Sequence, residues 1–284
     1  MRVTQRVLWL ACVALALFLN GSPGFADDAR PDRIKIDYVP PTNPEQKSIY
    51  DALRSRGVLE KLQQIFAPFK LPLDLTIKTA TCAEVNAWYE RLNMKPAVTI
   101  CYEYIEAIRM PKETTPAGIT PEDAVNGQFF YVAAHEMGHA MFDLLDVPLF
   151  GRPEDAADQF ATYIMLQFGK DQARRLIGGA AYSYRQDLHD MSASLRSFSD
   201  VHGTPQQRFY NILCMAYGAD QTVFSDLIDK GYLPQDRSRR CKKDFGEVVF
   251  AFQHLIRPHV DAEMAKRVLQ TEWLPNEDAK TRLH

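Results

Sequence analysis

Residues 120–158 read TPEDAVNGQFFYVAAHEMGHAMFDLLDVPLFGRPEDAAD. Thr120 can cap a helix, Pro121 suits the first helical position, and Glu122 and Asp123 favour the positive end of the helix dipole. A helix is therefore expected from Thr120 to about Leu145. Residues 147–153 read as a tight connection, and a second helix is expected from Glu154 to about Phe168, stopped by Gly169.

The first helix contains His135-Glu136-Met137-Gly138-His139. Helical residues four apart share a face, so His135 and His139 can present two imidazoles to one metal ion. Glu136 is turned about 100° away. That direction suits a carboxylate that takes a proton from a metal-activated water rather than one that binds the metal. Phe129, Val132, Ala133, Ala140 and Met141 supply apolar surroundings. Gly138 costs roughly 1 kcal/mol against Ala inside a helix, and close approach by another segment would account for it. A catalytic zinc site needs a third protein ligand. Glu154 is the leading candidate and Asp155 its competitor. Asp158 lies one turn beyond Glu154, where it could accept the distal N–H of a ligand histidine.

Outward from this stretch, the chain divides into a sheet-bearing front and a helical rear. Residues 33–39 alternate apolar and charged side chains as a strand does. Residues 45–69 show helical spacing, which Gly57 divides in two. Two more strands are expected at 73–79 and 97–102, then a loop at 110–120. Thr204-Pro205 marks a further helix start. The fold expected is helix-rich α+β, with a small N-terminal sheet and active-site helices to about residue 170, and a helical C-terminal part thereafter.

The N-terminus reads as a signal peptide. Arg2 and Arg6 precede an apolar run of about thirteen residues, Val7 to Leu19, short of the roughly 20 a spanning helix needs. Gly24-Phe25-Ala26 places small residues where signal peptidase reads, so cleavage is expected after Ala26. Contact with a membrane would follow only if the signal stays uncleaved. Cleavage would leave one domain of 258 residues (27–284) and move the net charge from −3 to −5, a balance that argues against nucleic acid as a partner. The one basic cluster, residues 237–243, reads as a solvated face. A periplasmic or secreted location follows. The cysteines left after cleavage, Cys82, Cys101, Cys214 and Cys241, then suggest two disulfides. Four cysteines allow three pairings; proximity favours Cys82–Cys101 and Cys214–Cys241.

HEMGH followed by EDAAD resembles the gluzincin metallopeptidases, in which H-E-x-x-H is joined by an E-x-x-A-D helix. The wider chain is similar to a bacterial family of metallopeptidase-like proteins of unknown function. Residues 82–89, 100–103 and 207–214 carry that likeness outside the motif. The resemblance implies a zincin-like domain binding Zn²⁺, with Glu154 as third ligand, Asp158 behind a ligand histidine, and a peptide or protein substrate. It also implies that a strand bordering the cleft pairs with extended substrate, a part expected of the strand around Thr99 to Cys101. The mechanism needs a donor for the developing oxyanion. Asp200-Val201-His202 offers a histidine oriented by an acid, and Tyr210 is the second candidate. His189, His254 and His259 read as ordinary surface or core histidines. The competing reading is a non-catalytic metal-binding or interaction protein on the same scaffold, in which Glu136 has no task.

Overall fold

A computed structural model describes residues 33–109, 119–186 and 199–274. The signal segment and His189 lie outside them. The front of the molecule holds a four-stranded sheet of β1 (Ile34–Tyr38), β2 (Leu75–Ala80), β3 (Ala87–Leu92) and β4 (Lys95–Cys101), in the order β1-β2-β4-β3. β1, β2 and β4 run parallel, and β3 is antiparallel to β4. Helices α1 (Lys47–Ser55) and α2 (Val58–Phe66) cross from β1 to β2, as a parallel pair requires. Gly57 separates them in the left-handed conformation at φ 58°, where a glycine meets no Cβ penalty.

β3 is absent from the sequence-based expectation. Its sequence AWYERL sets an apolar block, Ala87–Tyr89, before the charged pair Glu90 and Arg91, so no strand alternation appears. The strand forms as the partner of β4, turned by Asn93 and Met94, both at positive φ, the signature of a tight hairpin. Its presence also corrects the expectation for substrate pairing. Thr99–Cys101 lie inside the sheet, bonded to β2 on one side and flanked by β3 on the other. The free edge at that end of the sheet belongs to β3. A short helix, α3 (Tyr102–Arg109), follows β4 and was not expected either.

α4 (Pro121–Leu144) is the centre of the fold. Thr120 caps it, accepting from the Asp123 amide at 3.1 Å. Its far end closes on Asp146 at φ 50°, with the Val147 N–H bonded to the Phe142 carbonyl at 2.9 Å. This satisfies a terminal carbonyl and aims the connection back across the helix end. α4 packs on β3 and β4, on α5 (Pro153–Leu166) and on α6 (Lys170–Gln186). Burial on several sides explains why its sequence is apolar nearly all round.

Small residues set how closely the helices approach. A Cβ on Gly138 would stand 3.1 Å from the Phe160 ring and 3.4 Å from the Ala157 backbone. The close approach expected at Gly138 is therefore made by α5. At Gly127 a Cβ would come within 2.4 Å of the Leu176 carbonyl of α6.

The rear is helical: α7 (Pro205–Ala219), short α8 (Asp226–Asp229), α9 (Gln235–Ala251) and α10 (Ala262–Gln270). Thr204 and Gln207 form a reciprocal capping box on α7. The basic cluster lies on α9, with local ion pairs such as Arg237–Asp244 at 2.7 Å and Lys243–Glu247 at 3.6 Å. Disulfides join Cys82 to Cys101 and Cys214 to Cys241, the pairing that proximity favours. Among the described residues no helix is long and apolar enough to cross a membrane.

Candidate metal centre

α4 and α5 meet at an antiparallel corner that brings their chemistry together. His135 is 3% exposed and Glu136 8%, so both are inside the protein although one edge of the cluster reaches solvent. Glu154, one residue into α5, places Oε2 3.0 Å from His135 Nε2 and 3.1 Å from His139 Nε2. The two imidazole nitrogens are 3.2 Å apart. His202 Nε2 reaches the same Glu154 oxygen at 2.9 Å. Three imidazoles thus converge on one carboxylate oxygen, and ligand atoms of His135, Glu154 and His202 lie within 4.8 Å of one another.

The donors fit a metal ion on two grounds. In a tetrahedral zinc site with bonds of about 2.0–2.1 Å, neighbouring donors stand roughly 3.3 Å apart. The separations among His135, His139 and Glu154 fall just below that. The local field also calls for positive charge. Burial alone would depress the His135 pKa, yet its hydrogen bonds to Asp158 and Glu154 prevail and push it up to about 9. The hydrogen bond with His135 holds Glu154 at about 2 against the effect of burial. A divalent cation among these nitrogens supplies that charge without a proton.

Behind His135 lies a buried chain. Its Nδ1 is 2.8 Å from Asp158 Oδ1. Arg208, in the first turns of α7, donates to both Asp158 oxygens at 2.8 and 2.6 Å. Its guanidinium lies 4.8 Å from the centre of the Tyr184 ring and 5.8 Å from that of Tyr131. Burial would raise the Asp158 pKa, but His135 and Arg208 keep it well below the usual carboxylate range. A carboxylate held ionised behind an imidazole fixes which nitrogen faces forward.

Glu136 lies beside this cluster, its Oε1 4.0 Å from His135 Nε2. Burial pushes its pKa up to about 7, with His135 opposing and Glu154 reinforcing. The Tyr89 backbone amide faces it and draws its pKa back down a little. That amide points outward from the sheet. The Cys101 N–H bonds to the Asn86 carbonyl, so in an antiparallel ladder of this register Trp88 and Glu90 face β4, while Ala87 and Tyr89 present their backbone groups to the free edge. The edge borders a cleft of about 630 Å³, whose walls include Trp88, Tyr89, Phe142, Asp143 and Leu149 besides Glu136, His139, Glu154 and His202. Asp143 accepts from the Tyr89 hydroxyl at 2.5 Å and pairs with Arg91 at 3.1 Å.

The fold brings together six of the residues singled out in sequence: His135, Glu136, His139, Glu154, Asp158 and His202. Asp200 accepts from the His202 backbone N–H at 2.8 Å and stands 3.1 Å from its Nδ1, which turns Nε2 toward the cluster. Two residues lie elsewhere. Asp155 is tied to Arg152 at 2.8 Å, and Tyr210 packs edge-to-face on Phe209, outside the cleft wall. His254 bonds to the Phe250 carbonyl on the surface. A second cluster, Cys82, Cys101 and Glu103, has both sulfurs in a disulfide and offers no thiolate. Arg208 and the β3 edge were missed. Arg208 had a signal: it sits one turn before Ile212 and two before Ala216, on the apolar face of its own helix, where an arginine needs a buried partner.

A family model described as "Putative metallopeptidase" matches residues 38–256, and the chain belongs to that family. The match spans β2 to β4, α4 and α5, the His202 loop and Arg208. No curated protein and no solved structure matches the chain.

Proposed function

We propose that this protein is an exported, zincin-like (gluzincin-type) zinc peptidase that hydrolyses peptide bonds in the cleft between β3 and the α4–α5 corner. The observation that carries this reading is the convergence of His135, His139 and His202 on one Glu154 oxygen, with a buried carboxylate, Glu136, in the same cleft. His135, His139 and Glu154 would hold the ion. Bound there, zinc supplies a Lewis acid that lowers the pKa of water toward neutrality.

The chain's own groups do the rest. Glu136, with a pKa near 7 from its burial, accepts a proton from the attacking water and returns it to the leaving amine. His202 donates from Nε2 to the developing oxyanion while Asp200 holds its other nitrogen. Asp158 keeps His135 facing forward, and Arg208 keeps Asp158 ionised and in place. The outward carbonyls of Ala87 and Tyr89, with the Tyr89 N–H, align an extended substrate by adding a strand to the sheet, the Ala87 N–H being held by Asn86 Oδ1. Two disulfides support an oxidising compartment, periplasmic or extracellular.

The test is zinc content per chain of the purified mature protein, measured beside turnover. Wild type carries near-stoichiometric zinc; His139→Ala and Glu154→Ala lose it. Glu136→Gln keeps its zinc and loses hydrolysis by up to about 10⁴-fold. A folded wild type that takes up no zinc after remetallation overturns the reading, as does a Glu136→Gln variant that cleaves as well as wild type.

A further inference from the structure

Charge and apolar surface around the cleft narrow the substrate class. Asp143 already holds both Tyr89 and Arg91, so its charge is largely satisfied before a substrate's α-amino group arrives. No lysine or arginine is among the cleft-lining residues described. Arg91 and Arg152 are bound to Asp143 and Asp155. Among the described residues a free substrate carboxylate therefore finds no lysine or arginine on the walls, and neither chain end meets an uncommitted partner of the opposite charge there.

The rim, by contrast, is apolar. Leu149 lines the cleft, and Phe150 beside it is fully exposed. Val85 and Val201, both 64% exposed, adjoin the lining residues Asn86 and His202. Scattered surface hydrophobics carry no message, but Leu149 is in the cleft wall and Phe150, Val85 and Val201 are each next in the chain to a lining residue, which ties them to this one cleft. Phe150 stands on the connection between the two helices that carry the metal ligands. Its position is set by the Asp146 turn on one side and Gly151 at φ 101° on the other.

We infer that the cleft takes an internal, extended peptide segment bearing large apolar side chains, gripped between Leu149–Phe150 and Trp88, so that the enzyme is an endopeptidase of apolar segments. This inference rests on the peptidase reading above. The free edge of β3 accepts any extended backbone, and the selection lies in the walls. Leucine, phenylalanine or similar side chains beside the scissile bond bury the Leu149–Phe150 surface, whereas an acidic side chain there meets further carboxylates and no lysine or arginine, and a basic one finds Asp143 already paired.

Binding separates this inference from hydrolysis. Zinc-loaded Glu136→Gln full-length mature protein is titrated with fluorescent peptides blocked at both ends: one with a Leu-Phe centre, and matched peptides with Asp or Lys at those positions. Fluorescence anisotropy is expected to show the apolar peptide binding about tenfold or more tighter than either charged one. Adding Leu149→Ser and Phe150→Ser should remove most of that difference with zinc content and melting temperature unchanged, since both side chains are at the surface. Equal binding of the three peptides, no binding of any, or binding that requires a free terminus overturns the inference. Wild-type cleavage is scored separately. If apolar peptides bind but are never cut, the substrate class stands and the hydrolase reading falls. If blocked charged and apolar peptides are cut alike, hydrolysis stands and the substrate class falls.

Discussion

The two sides of the cleft are built on different principles. On one side, α4 and α5 carry their chemistry on buried helices, with His135 and Glu136 almost inaccessible. On the other, β3 is a half-exposed edge strand with no buried residue. Helix geometry alone places His135 beside His139, because four residues nearly complete a turn. Nothing local places Tyr89 beside Glu136; that contact exists only after β3 has paired with β4 and the sheet has packed on α4. The wall of candidate metal ligands, the ligand wall, is specified by spacing, while the proposed substrate wall is specified by assembly.

The largest effect that would sharpen this contrast is expected at Arg208, where the ligand wall itself depends on assembly. Arg208→Met leaves Asp158 as a buried carboxylate with only His135 against it. Breaking a buried pair on one side costs about 3–5 kcal/mol, read as a lower denaturation midpoint of the metal-free protein. Losing support behind a ligand histidine should also weaken zinc binding by about tenfold to a hundredfold, measured by competition with a chelator. If Arg208→Met bound zinc as tightly as wild type, the α4–α5 pair would be self-sufficient and Arg208 merely structural.

How much was legible follows the same division. The Thr120 cap, the α4 and α5 spans, the break at Gly57 and the capped start at Thr204 were readable because each is written within a turn or two of helix. Glu154 was readable through its short connection to His139. His202 was marked by its neighbour Asp200, although only the fold could aim it at Glu154. Tyr210 was drawn in by residue type alone, and its ring packs on Phe209 instead. β3 stayed hidden since AWYERL has no strand alternation, and the substrate edge was consequently assigned to Thr99–Cys101, which are interior. Family likeness pointed to residues 82–89 without saying that they form this edge.

A second, smaller effect tests how the substrate wall is held. The connection leading into β3 is anchored by the Cys82–Cys101 disulfide and by Glu103, which accepts from the Cys82 and Ala83 amides at about 3 Å. Replacing both cysteines by serine is expected to cost about 3 kcal/mol through the unfolded chain, seen in denaturant unfolding. The ligand wall does not contain this bond, so zinc content should stay at the wild-type level. The substrate wall does, so KM for an extended peptide should rise with kcat little changed. A fall in zinc content instead would show that the two walls are not independent.

The smallest expected effect isolates a single contact between the walls. The Tyr89 hydroxyl donates to Asp143 of α4, and the burial that accompanies this bond raises the tyrosine pKa, with Asp143 adding to the shift. Tyr89→Phe keeps the ring and the outward N–H but removes the donor. Arg91 still serves Asp143, so no unpaired carboxylate is left, and the stability loss should be about 1 kcal/mol. Because the hydroxyl fixes the lateral position of β3 against α4, the strand can shift while its pairing to β4 stays intact. The expected signature is wild-type zinc content, near-native melting, and a several-fold weaker grip on blocked extended peptides. Unchanged peptide affinity would mean that pairing with β4 alone sets the edge, and that the Tyr89–Asp143 contact has no part in positioning it.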